Sequence, residues 1–369
     1  MSHPSEGCAE FHSVYIFDRG GMTRMAQIVD VSSVQWSRDR DGVSEATIRV
    51  VGAYCAAQAD VLASIEPKRH ELVIFRGDER VWEGPIWRVG WHSDWVEINA
   101  HDVFQYLLGT PLSQPYSSAY PYVETVPARI QRILDYELDR WEALTPAANI
   151  APYLQIHQFP TTDPKTTAVT KAYEMTVGEH IQNLAHYGGI DFACVGRAFH
   201  VWDVDRHLGA TRLVTEADFL GSEVILTAYG SEHTQNTYVI GEDGVYGEAH
   251  NLDNADYYGP WTTIYSAYNE EGTTAPTQAE LNSQAARNLS GRSPVPVEVR
   301  IPDNSSIRLT DSLTINDLIP GTRIPVLATL NARRMSQDQK LDHLMVTEDA
   351  TGENVQVTLV PATTDIVDD

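Results

Sequence analysis

The stretch from Glu71 to Gly109, ELVIFRGDERVWEGPIWRVGWHSDWVEINAHDVFQYLLG, limits the fold more than any other part of the chain. Leu72-Val73-Ile74-Phe75 is an unbroken apolar run closed by the turn pair Gly77-Asp78, which predicts a strand buried on both faces. The chain then stays extended. Trp82 and Ile86 fall on one side, and Trp87, Val89 and Trp91 on the other. A second turn at Ser93-Asp94 leads into a strand with Val96, Ile98 and Ala100 facing one way and Trp95, Glu97, Asn99 and His101 the other. The result is a three-strand meander. Pro85 has no N–H for a ladder, so an edge or a bulge is expected beside it. Asp102 and Gln105 have the spacing of a reciprocal helix cap, predicting a short helix over residues 103–108 that Gly109 stops. So much Trp on a meander calls for a curved sheet, and a small barrel supplies one.

Upstream, residues 34–38 and 46–51 predict a hairpin over the charged tip Asp39-Arg40-Asp41-Gly42, with a short helix over 56–65. The phrase RHELVIFRGDERVWEGPIWRV, preceded by QWSRDRDGVSEATIRV, resembles the N-terminal barrel of minor tail proteins from long-tailed, siphovirus-type phages of actinobacteria. Those proteins are similar to the central hub of the tail tip or baseplate, and the likeness continues to the C-terminus. It implies two small β-barrels of one kind in each chain, so that a homotrimer presents six near-equivalent barrels to a sixfold tube. It also implies a virion protein of the tail tip, assembled in the bacterial host cytoplasm. The partners it implies are the distal tail protein, the tail tube, the tape-measure protein and receptor-binding or lysin subunits. DNA would pass through without specific binding.

The chain has 369 residues, which suits two to four domains rather than one core. Its 51 acidic residues against 26 basic give a formal charge of -25, a surface that repels phosphate backbones. An acidic bore through which DNA slides is the sharper expectation that the resemblance adds. No apolar run is long enough to span a membrane, and MSHPSEGCAEFH lacks the basic start and apolar middle of a signal peptide, so synthesis in a cytoplasm is expected with no membrane insertion. Cys8, Cys55 and Cys194 lie far apart and suggest neither a disulfide framework nor a thiolate metal site.

The fold class expected is mainly β with an α+β insertion. Residues 1–109 form an N-terminal barrel with short helices, and 110–220 an inserted α+β module. Residues 221–294 form a connecting segment with an aromatic loop and a helix, and 295–369 a second barrel with an acidic tail. In the module, Thr125 caps a helix with Ile130, Ile133, Leu134, Leu138 and Trp141 on one stripe and Arg129, Arg132 and Asp135 on the polar face. Thr176 and Glu179 form a capping box, and Gly196-Arg197 turns a hairpin. A further box at Thr277 and Glu280 starts the last helix, and residues 341–347 and 355–360 pair across Thr351-Gly352. That hairpin and the Trp-rich one look alike, each two alternating strands around a polar tip.

Residues 242–269 read as a loop carrying Tyr246, Tyr257, Tyr258, Trp261, Tyr265 and Tyr268. Long loops in compact domains usually serve a contact, and Tyr and Trp give contact area at small entropic cost. These six residues are the candidate partner interface. Catalytic, cofactor-binding and metal-ligating residues are not assigned. His180 and His186 stand six apart, the wrong spacing for a zinc helix, and His92, His101, His200 and His233 are scattered. Carboxylate pairs such as Asp203/Asp205 and Glu270-Glu271 arise by chance in so acidic a chain. No nucleophile elbow, phosphate loop or dinucleotide fingerprint is present. The function expected is structural and non-enzymatic. The competing readings are a tail-associated cell-wall hydrolase and a carbohydrate-binding attachment module. The meander tryptophans are expected to be mostly core, which weighs against the last.

Overall fold

The computed structural model describes residues 11–116, 124–144, 155–158, 165–166, 170–188, 190–203, 207–221, 224–241, 244–253, 255–267, 278–289, 292, 297–331 and 333–362. The cap at Thr277, the N-terminal arm up to residue 10 and the acidic tail from residue 363 lie outside them. The chain divides into two compact units. The first comprises Met1–Glu223, Ile301–Thr329 and Ser336–Asp369, and the second Val224–Arg300 and Leu330–Met335.

Seven strands open the first unit: β1 (His12–Asp18), β2 (Arg24–Ile28), β3 (Ser33–Asp39), β4 (Glu45–Val51), β5 (His70–Arg76), β6 (Glu79–Trp91) and β7 (Trp95–His101). Their order in the sheet is β2-β1-β5-β6-β7-β4-β3, and every pair is antiparallel. The expected meander is β5-β6-β7. Pro85 sits where β6 changes partner, since residues 79–85 pair with β5 and residues 86–91 with β7. A proline there forfeits little ladder. The ladder slips between Ile86 and Arg88, which throws Trp87 onto the outer face beside His101. Val89, opposite Ile98, is buried on the inner side, while Trp91, opposite Val96, stays exposed. The alternation expected for residues 87–91 is therefore broken by that bulge.

Beyond β3 the sheet does not end. His343–Glu348 of the strand Arg333–Asp349 pair antiparallel with Val34–Asp39, and that strand turns at Gly352 into Gly352–Pro361. Where two separate barrels were expected, one hydrogen-bonded sheet joins strands from both ends of the chain, and strand pairing closes no barrel among the described residues. The physical reason lies in β3. Both its edges are apolar-in, polar-out ladders of matching register, so a second hairpin can add to the free one. The two hairpins that look alike in sequence flank β3–β4, one on each side.

The N-terminal arm is nevertheless rolled. His12 on β1 is five strands from β3 along the sheet, yet Trp36 Nε1 donates to His12 Nε2 (3.1 Å). His12 Nδ1 meets Glu348 at 2.7 Å, and Glu348 also accepts the amides of Phe11 and His12. Arg76 on β5 grips Glu353 through two contacts of 2.7 Å. Side chains close this roll where the ladder does not. Inside it Val14, Ile48, Val50, Leu72, Ile74, Ile86 and Ile98 are fully buried.

The α+β module packs on this arm within the same unit. Helices Val126–Leu144 and Val177–Gly188 and the strands Ile190–Val195 and Ala198–Asp203 enclose a core that includes Phe104 and Leu107 from the short helix after β7. The rings of Phe104, Phe192 and Phe199 lie 4.8–5.8 Å apart. Thr176 and Glu179 form the reciprocal cap as the spacing predicts. At Asp102 only half the box forms. Asp102 accepts from Phe104 N (3.0 Å), while Gln105 turns to His101 (2.6 Å). Ile130, Ile133 and Leu134 are buried as a stripe, but Arg129 is buried too, held by Glu124 at 2.6 Å. The side chain of Trp141 lies outside the described residues.

In the second unit, Asn236–Ile240 is the central strand of a three-stranded sheet, antiparallel to Tyr246–His250 and parallel to Thr262–Ser266. Residues 242–269 are thus not a plain loop, because they contribute two of these strands and the turn Ala255–Tyr258. Helix Gln278–Leu289 covers one face through Leu281 and Ala285 on Val239. A Cβ on Gly247 would lie 2.1 Å from the Leu281 backbone, so only glycine lets the helix approach that closely. Ile225–Ala228 pairs antiparallel with Val297–Arg300.

Candidate assembly surfaces

Register decides which residues of the second unit's sheet face away from its helix. Ile240 lies opposite Tyr246 and Ser266, and Tyr238 opposite Glu248 and Ile264. Tyr238 is ringed by Tyr246 (6.1 Å) and His250 (6.0 Å). Ile240, Tyr246 and Ile264 remain exposed, Ile264 by 67%. Isolated exposed apolar residues need no explanation, but adjacent ones on an uncovered sheet face mark a surface suited to contact. Thr262–Ser266 carries no charge and pairs along one edge only among the described strands. Native sheets usually blunt such an edge with charge, proline or cover.

The expected interface residues divide into three places. Tyr246 stands on the uncovered face. Tyr257, Tyr258 and Trp261 gather at the turn Ala255–Tyr258, where the Tyr257 and Tyr258 rings meet edge to face at 4.8 Å and Trp261 Nε1 donates to Tyr258 O (2.7 Å). Tyr258 also packs on His233 (4.5 Å). Tyr257 at 82% exposure and Trp261 at 59% protrude, with exposed Leu252 nearby in sequence. Tyr265 points the other way and packs on the core of Val239, Leu281 and Ala285. Tyr268 lies outside the described residues. Ile264 falls in the segment that reads as a loop, and Tyr238 and Ile240 on the strand before it, which shows no face until its partners are known. The alternation of Thr263 and Tyr265 against Thr262, Ile264 and Ser266 was the signal for a strand.

The tryptophans of the meander behave differently. Of its four only Trp82 is core, whereas Trp87 and Trp91 are exposed by 41% and 59% and Trp95 is half-buried, so the expectation that they are mostly core is not met. On the outer face, His92 stacks on Trp95 at 3.6 Å and 11°, and the Arg49 guanidinium lies 4.9 Å from the same ring. Trp87 stacks on His101 at 5.3 Å and 14° and holds the Lys68 ammonium at 4.6 Å. A sugar platform needs open aromatic faces, and these are occupied by the protein's own cations and imidazoles. Around them Arg49 and Arg88 share Glu97, and Asn99 bridges Arg88 to Thr47, so the polar groups are paired as well.

A third place escaped the sequence reading. The tip Asp39-Arg40-Asp41 is a meeting point of three segments rather than a solvated turn. Asp41 N donates to Phe192 O (2.9 Å) and Asp41 Oδ1 accepts from Phe192 N (2.7 Å), fixing the tip to the module strand. Arg40 joins Asp191 (2.9 Å) to Asp342 (2.6 Å), and Lys340 Nζ reaches Asp191 at 2.8 Å. His343 meets Asp39 at 2.5 Å. Burial, then the neighbouring Asp191 carboxyl, pushes the Asp41 carboxyl up to about 7.

Among the described residues no three His, Cys, Asp or Glu side chains are placed to hold a metal ion. Burial, then Arg129, pushes His180 down to about 4, and its ring packs 6.5 Å from Tyr116. The side chain of His186, and Asp205, Glu270 and Glu271, lie outside the described residues.

No family model matches the chain, and no curated protein matches it in sequence. Solved structures do match it in shape. The 43 kDa tail protein of prophage MuSo2 from Shewanella oneidensis aligns with a TM-score of 0.58 at 10% identity, covering 95% of this chain and 97% of that one. A tail protein from Neisseria meningitidis MC58 gives 0.54 at 10% identity, covering 95% and 96%. Prophage tail protein gp18 from Listeria monocytogenes EGD-e gives 0.54 at 9%, covering 94% of each. The chain therefore has a fold found in phage tail proteins along nearly its whole length.

Proposed function

We propose that this chain is a structural protein of a phage tail, the central hub of a siphovirus-type tail tip, built as a homotrimer that continues or caps the tail tube. The observation that carries the reading is the end-to-end likeness of fold to solved tail proteins, with the two termini of the chain contributing to one sheet as they do not in a string of independent modules. Two hairpin arms, β6–β7 and Arg333–Pro361, flank β3–β4. Three chains would offer six such arms to a sixfold tube, the role the two barrels hold in the hub family. The work is geometric, and no bond is made or broken by this chain.

The aromatic segment from Tyr246 to Tyr268, with the uncovered face around Ile240 and Ile264, is the contact surface in this reading. It would hold a neighbouring copy, the distal tail protein or receptor-binding and lysin subunits, with the tape-measure protein and then DNA in the bore. The charge of -25 suits passage of DNA without adhesion. Tail assembly in the host cytoplasm and residence at the virion tail tip follow from the same reading.

Mass photometry of the purified chain, alone and with tail-tube protein, should give trimers at least in the mixture. A clearing zone on a peptidoglycan zymogram would replace this reading with that of a cell-wall hydrolase. Retention on a glycan array would do the same for an attachment module.

A further inference from the structure

We propose that the β3–β4 tip is a proton-operated latch, which holds the α+β module and the C-terminal hairpin to the N-terminal arm when protonated and loosens them when ionised. The latch depends on crowding of like charge at one partly buried joint. From the tip come Asp39, Arg40 and Asp41. The module strand Ile190–Val195 supplies Asp191 and Cys194, and the C-terminal strand supplies Lys340, Asp342 and His343. Asp102, at the end of β7, completes the set.

Counting these groups gives the reason for a latch. Asp39, Asp191 and Asp342 are matched by Arg40, Lys340 and a protonated His343, through the contacts of 2.5–2.9 Å given above. Among the described residues Asp41 has no cation of its own. Its ion-pair neighbour there is Arg40 at 4.0 Å, already shared between Asp191 and Asp342, and the same Nη1 of Arg40 faces both Asp41 Oδ2 and Asp191 Oδ1. Two carboxyl groups crowded on one guanidinium nitrogen repel each other unless one carries a proton. Asp102 is buried beside Asp39 and Cys194, accepting from Ser44 N (2.9 Å), while Ser44 Oγ accepts from Asp39 N (3.0 Å). A chain of hydrogen bonds thus runs from Asp102 through Ser44 and Asp39 to His343.

Asp41, Asp102 and His343 act with one sign. Burial, then Asp191, raises the Asp41 carboxyl to about 7. Burial raises Asp102 to about 7, and the hydrogen bond to Asp39 raises His343 above its usual value. A group raised in the folded state stabilises fully below its unfolded value, and that stabilisation is lost as pH rises through the folded one. The joint is tight near pH 4–5 and loosens through pH 7, with protons released to water. Opening breaks the reciprocal Asp41–Phe192 backbone pair, which makes the Phe192 amide the reporter.

Hydrogen exchange on the full chain between pH 5 and 8.5, corrected for intrinsic exchange, tests this. The opening equilibrium at Phe192 should rise at least about tenfold over that range, and by more than at Ile48 and Ile98, which follow the overall stability of the unit. Asp41→Asn keeps the acceptor for Phe192 N without the titration and should flatten the response. Constant protection at Phe192 in the wild-type chain overturns the latch, and so does an undiminished pH response in the variant. Because the wild-type profile decides by itself, a variant that fails to fold does not rescue the proposal. The result stands apart from the tail reading, which concerns assembly and not this joint.

Discussion

Two sheets in this protein expose aromatic rings, and they do so for opposite reasons. On the outer face of β4, β7 and β6, Trp87 and Trp95 already carry an imidazole and a cation each, and the charges around them are paired. On the outer face of the Asn236–Ile240 sheet, Ile240 and Ile264 are exposed, and Tyr246, beside the Tyr238 ring, is exposed with them. Exposure alone does not separate these cases. What separates them is whether the apolar surface has found partners within the chain. In the proposed reading the occupied face is a finished surface and the bare one is half of a contact.

Several substitutions break or sharpen that contrast. The largest effect should come from the side chains that close the roll. His12→Ala leaves Glu348 buried without its imidazole and Trp36 without its acceptor, and should cost about 2–4 kcal/mol in denaturant unfolding of the first unit. Gly247→Ala should cost about 1–3 kcal/mol in the second unit alone, because the helix must lift away from the sheet. Calorimetry that resolves the two units should shift one transition and leave the other. If both move together, the units are not separate cooperative bodies.

Asp102 gives a pH test of the first unit. Its carboxyl stands at about 7 through burial, against 3.8 in the open chain, so the stabilisation it confers is present at pH 4 and lost by pH 7–8. Stability should fall by about 1–3 kcal/mol between pH 5 and 8, and Asp102→Asn should reduce that slope. A profile equally steep in the variant would show that other groups set the pH dependence.

The smallest effects on stability decide the comparison itself. Lys68→Ala on the occupied face should cost about 0.5–1 kcal/mol and leave assembly untouched. Ile264→Asp on the bare face should change monomer stability by no more than about 0.5 kcal/mol and yet reduce association in sedimentation or incorporation into tails. The reverse pattern would mean that the finished face is the contact and the bare face is incidental.

Local features were legible in the sequence where local physics decides them. The meander of β5, β6 and β7 follows from alternation and two turns, the bulge from Pro85, and the cap at Thr176 from its glutamate three residues on. Residues far apart in sequence but adjacent in space were not legible. Nothing in SVQWSRDRD says that Asp41 will meet Phe192 or that β3 will pair with His343–Glu348, far along the chain. The tip reads only as a charged turn because its partners come from two other segments. Arg129 reads as a polar-face residue because Glu124, which accompanies it into the core, precedes the helix. The aromatic segment reads by composition as a loop for contact, and because its strands are not legible there, Ile264 is left out and Tyr265 is placed outside the core it joins.

Cryo-electron microscopy of assembled tails tests the central claim most directly. The account predicts three copies around the tail axis at the tip, with Tyr246 and Ile264 buried against a neighbouring subunit and Trp87 and Trp95 facing solvent. A map in which the chain is absent from the tail, or present with the Ile264 face bare, would contradict it.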